Sequence, residues 1–75
     1  MLQSAVAYTA ADLQMVDDHI IQGERHVTRQ EELIERLHSR GLPTADAELL
    51  LEDFKSTLAQ HRAHRDIMLG ELGGY

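Results

Sequence analysis

An all-α fold, an antiparallel two-helix hairpin, is the architecture this sequence predicts, and three observations predict it. Apolar residues recur in alternating steps of three and four over two long stretches, the spacing of a helix with one buried stripe. The only proline of the 75 residues stands between those stretches, in Gly41-Leu42-Pro43-Thr44. Aromatic residues are only 4% of the chain, so the core must be aliphatic, and the single proline with 27% charged residues points to long helices, not to a sheet.

The first helix has a marked start. Thr9 is suited to cap it, and Asp12 follows three residues later in a variant of the capping box. Tyr8 and Leu13 occupy the two positions of a hydrophobic staple. Its end is equally marked: Gly41 suits a left-handed residue after the last turn, Leu42 folds back, and Pro43 forbids continuation. The expected span is about 10–40. Thr44 is a second N-cap candidate, with Asp46 and Glu48 near the positive end of the helix that follows. That helix is expected over about 45–72, with Gly70 weakening its last turn and Gly73-Gly74 ending it. A single domain then covers 1–75, with residues 1–8 and 73–75 as flexible ends.

The seam of the first helix reads Leu13, Val16, Ile20, Gly23, Val27, Gln30, Ile34, Leu37. That of the second reads Ala47, Leu51, Phe54, Leu58, His61, Arg65, Met68, Leu72. Both are close to coiled-coil heptads. The short connection makes the helices antiparallel neighbours and pairs position i with about position 84 minus i. Leu37 should then meet Ala47, Ile34 meet Leu50 or Leu51, Val27 meet Leu58, Val16 meet Met68, and Gly23 meet His61. Charge agrees with this direction, because each helix opens acidic and later turns basic.

Further apolar residues flank both seams: Met15, Ile21 and Leu33 on the first helix, and Leu49, Leu50, Ile67 and Leu69 on the second. These stripes are wider than one helix–helix contact covers. Short chains bury a small fraction of their surface, and the absence of cysteine excludes disulfide staples. Self-association is the expected remedy, with two hairpins forming a homodimeric four-helix bundle. Leu13, Val16, Ile20, Gly23, Val27, Ile34, Leu51, Phe54, Leu58, His61, Arg65 and Met68 are the expected interface residues.

Function is less legible than fold. The formal net charge of -6 disfavours a general electrostatic grip on nucleic acid or anionic lipid. No run is long and apolar enough for a membrane span, and the first residues lack the basic and apolar regions of a signal peptide, so a cytoplasmic location is expected. Serines sit at a terminus, a helix end and a helix face, none on a strained turn with an oxyanion donor, so no catalytic residue is assigned and no enzyme is expected. No cofactor is expected either.

One layer of the seam departs from its own pattern. Gly23, Gln30, His61 and Arg65 occupy positions where aliphatic residues would stabilise most. The expected reason is that Gly23 makes room for the His61 ring, and that polar seam residues set register and partner number at a cost in stability. His19, His26, His61 and His64 near this level are the metal-ligand candidates. They lack a zinc signature, so no metal is assigned. Glu35-Arg36-Leu37-His38 matches Glu-x-x-His, half of a di-iron motif, and reads as a solvated helix face. Arg25, Arg29, Lys55 and Arg62 form a candidate anion patch. Through it the chain would resemble, in architecture only, the RNA-binding hairpin dimer of the plasmid copy-number regulator Rop.

The run from Gly23 to Leu37, then Gly41 to Leu51, then Thr57-Leu-Ala-Gln-His-Arg-Ala-His-Arg-Asp66, resembles a group of short alphaproteobacterial proteins, chiefly from rhizobial relatives. The resemblance covers about residues 12–69. It implies a bacterial cytoplasmic source and directs attention to Gly23, Glu24, Arg25, His61, Arg62, His64 and Arg65. It implies no activity. The expected role is that of a small protein-interaction module or regulator that self-associates, with a further protein partner as an additional expectation.

Overall fold

A computed structural model describes residues 8–72, which form two helices, α1 (Ala10–Ser39) and α2 (Ala45–Leu72), folded against each other as a hairpin. The ends expected to be flexible lie outside the described residues, apart from Tyr8. The start of α1 is a complete capping box. The Asp12 N–H donates to Thr9 Oγ1 at 3.1 Å, and the Thr9 N–H donates to Asp12 Oδ2 at 2.9 Å. Two of the amides left open at a helix start are thereby satisfied.

The end of α1 is a Schellman motif. The Leu42 N–H donates to the Leu37 carbonyl at 2.9 Å and the Gly41 N–H to the His38 carbonyl at 3.0 Å. Gly41 holds φ at +69°, where a Cβ would crowd the backbone. Gly41→Ala should therefore lower stability by about 1–2 kcal/mol, read as a lower denaturant midpoint at unchanged slope. At the start of α2 the Thr44 carbonyl accepts from the Glu48 N–H at 2.9 Å, and the Thr44 hydroxyl donates to the Glu48 carboxylate. α2 then continues through Gly70 to Leu72.

The seam is where the spacing puts it. Every seam residue of α1 is buried or half-buried, and so is every one of α2 from Ala47 to Met68. Leu72 is exposed, because α1 begins only at Ala10 and leaves little opposite the last turn of α2. The buried apolar core of the described residues is small: Val16, Leu58 and Met68.

The register differs from the expected one. Gly23 lies against Leu58, not His61: a Cβ built on Gly23 would sit 3.1 Å from Leu58 Cδ1. His61 packs instead on His19, and Phe54 on His26. These partners fall about three to four residues short of those an evenly shared turn would give. The Schellman cap explains the offset. It folds Leu42 back beside Leu37, so α1 overhangs the start of α2 by about one turn. Val16 and Met68 still line one groove together, and Val27 and Leu58 another.

Candidate functional site

The polar seam residues each have a partner. Gln30 is 7% exposed, and its side-chain Nε2 donates to the Ala47 carbonyl at 2.8 Å. An unpaired buried amide would cost about 1–3 kcal/mol, so this bond favours one register over its neighbours. Arg65, half-buried, donates through Nε to the Asp17 carboxylate. No buried side-chain nitrogen or oxygen among the described residues lacks a hydrogen-bond partner. Gly23 contributes differently, by leaving the volume that the Leu58 methyl occupies.

The helices meet along two edges of different chemistry. On one, Arg62 donates to Glu24 at 3.0 Å, and Asp17 holds Arg65. This ionic edge flanks a groove lined by Glu24, Val27, Thr28, Lys55, Leu58 and Arg62. On the other edge rings meet rings. Tyr8 and His64 are edge to face with centroids 5.5 Å apart, His19 and His61 are 5.0 Å apart, and His26 stacks on Phe54 at 5.3 Å. The Tyr8 hydroxyl lies 3.3 Å from His64 Nε2. An open groove of about 470 Å³ on this imidazole edge is lined by Tyr8, Asp12, Met15, Val16, His19, His61, His64 and Met68.

The four histidines named from the sequence thus all reach one side of the hairpin, but as two ring pairs and a stack, not as one cluster. Among the described residues no group of three or more His, Cys, Asp or Glu side chains is placed to hold a metal ion. Glu35 and His38 are exposed. The candidate anion patch is divided. Arg62 is paired with Glu24, Lys55 stands 3.8 Å from Glu52, and Arg25 and Arg29 line a shallow surface with Glu24 and Glu32. The expected interface residues are all buried or half-buried within the hairpin.

Tyr8, Asp17 and Glu24 are site residues that the seam pattern did not single out as partners. For Asp17 and Glu24 a signal existed. Each immediately follows a seam residue of α1, Val16 or Gly23, the heptad position that in an antiparallel pair faces its counterpart on the other helix. Arg62, which follows His61, holds that counterpart position on α2.

No helix among the described residues is long and apolar enough to cross a membrane. The chain matches no protein-family model, no curated protein and no solved structure.

Proposed function

We propose that this chain is a non-enzymatic helical interaction module that works by self-association in the cytoplasm, two hairpins pairing as a four-helix bundle that serves as a small regulator or adaptor. One observation carries the reading: the exposed apolar surface outweighs the buried core. Met15, Ile21, Leu42, Leu49, Leu50, Ile67, Leu69 and Leu72 stay exposed, Leu49 at 68% and Ile67 at 59%, while among the described residues Val16, Leu58 and Met68 alone are buried apolar residues. Apolar surface of that extent on a short chain is characteristic of an interaction face. The grooves are open and shallow, unlike the enclosed pockets that hold small substrates.

The test is size-exclusion chromatography with light scattering at several protein concentrations. The expected result is a particle of twice the mass of one chain at micromolar concentration, with melting temperature rising with concentration. A particle of single-chain mass up to millimolar concentration overturns the reading.

A further inference from the structure

One of the ring contacts between the helices joins two metal-ligating side chains. His64 meets Tyr8 and His26 meets Phe54, but His19 of α1 meets His61 of α2. Their ring centres are 5.0 Å apart, and the rings are tilted by 47°. Two parallel rings cannot each aim a nitrogen at one point, because their lone pairs lie in parallel planes. A tilted pair can. An imidazole nitrogen about 2.1 Å from an ion sets its ring centre about 3.2 Å away, so two rings meeting there at a tetrahedral angle have centres about 5 Å apart. The separation of His19 and His61 is that of two imidazoles on one ion.

Their nitrogens are free to bind. Among the described residues neither ring has a hydrogen-bond partner, whereas His64 Nε2 lies 3.3 Å from the Tyr8 hydroxyl. No buried side-chain nitrogen there lacks a partner, so the nitrogens of the half-buried His61 reach the groove. Both rings line the open groove of about 470 Å³, which leaves space for water on an ion held between them. Charge favours a cation. Asp12 lines the same groove, and the two guanidiniums that follow His61 are neutralised, Arg62 by Glu24 and Arg65 by Asp17.

We propose that His19 and His61 form a two-imidazole site for a divalent transition ion of the zinc, copper and nickel class, which clamps α1 to α2 toward their open end. Imidazole is a ligand that these ions share. Two protein ligands are fewer than a structural zinc site has, so water completes the shell and the ion exchanges readily. The rings belong to different helices, so the bound ion favours the closed hairpin over an open chain. The site lies within one hairpin and does not depend on self-association.

Zinc chloride titrated into the whole chain tests this, followed by calorimetry, by melting temperature and by light scattering. The expected result is one ion per chain, a melting temperature that rises with zinc, and an unchanged particle mass. His19→Gln and His61→Gln should each raise the zinc dissociation constant by about tenfold or more, whereas His38→Gln should leave it within a factor of about three. His19 and His38 are exposed, and circular dichroism verifies that helicity persists in each variant. Loss of helicity in His61→Gln transfers the decision to copper(II) bound to the wild-type chain, whose electron paramagnetic resonance should show the nitrogens of two imidazoles. Zinc binding that survives His19→Gln, a copper spectrum with any other count of imidazoles, or a melting temperature unmoved by millimolar zinc overturns the site. A particle mass that doubles only when zinc is added overturns it as well, because the ion then bridges two copies.

Discussion

Leu58→Ala should lose about 2–5 kcal/mol of stability. Leu58 is 6% exposed and is one of three buried apolar side chains among the described residues. Its methyl fills the space above Gly23, which has no side chain with which to collapse into the hole left behind. Leu49→Ala on the same helix is the control. That side chain is 68% exposed, and its removal should change stability by less than about 0.5 kcal/mol. Both are read from denaturant unfolding at one fixed protein concentration, since self-association adds to apparent stability. A Leu58→Ala loss below about 0.5 kcal/mol would place Leu58 in solvent and refute the seam.

The second large effect is a coupling. Gly23→Val should destabilise the hairpin by about 1–3 kcal/mol, although most residues are better helix formers than glycine. A Cβ at position 23 already stands 3.1 Å from Leu58 Cδ1, and valine places two more carbons beyond it. With Leu58→Ala in place the same substitution enters a cavity and should recover part of the lost stability. The double-mutant cycle should therefore show at least about 1 kcal/mol of coupling. Additivity would mean that Gly23 and Leu58 do not touch, and that His61 holds the space instead.

The helix limits were legible because each is written in local chemistry. Thr9 and Asp12 form their box, and Gly41 takes the positive φ, whatever the rest of the chain does. The seam was legible for the same kind of reason: a step of three and four is a property of one helix, and Val16, Leu58 and Met68 fall on it. The register was not legible. It depends on how the turn divides its residues between the helices, which the fold-back of Leu42 onto Leu37 decides. A displacement of one turn was enough to exchange the neighbour of Gly23 from His61 to Leu58. The histidines were recognised as one group, but their arrangement was not. Whether imidazoles cluster or pair off with His61, Phe54 and Tyr8 depends on that displaced register.

The bonds between the helices also define an order of closing. Gln30 and Ala47 are 17 residues apart in the chain, whereas Tyr8 and His64 are 56 apart. Bringing the distant pair together from an open chain costs about 1 kcal/mol more in loop entropy than bringing the near pair together. Closure is then expected to travel like a zipper from the turn to the free ends. Amide exchange should follow the same gradient, slowest in the turns around Gln30 and Leu51 and fastest around Leu13 and Met68. Uniform protection along both helices would show instead that the hairpin opens as one unit. In a zipper of this kind the His64 end opens first, so the contact of Tyr8 with His64 closes the least firmly held part of the molecule.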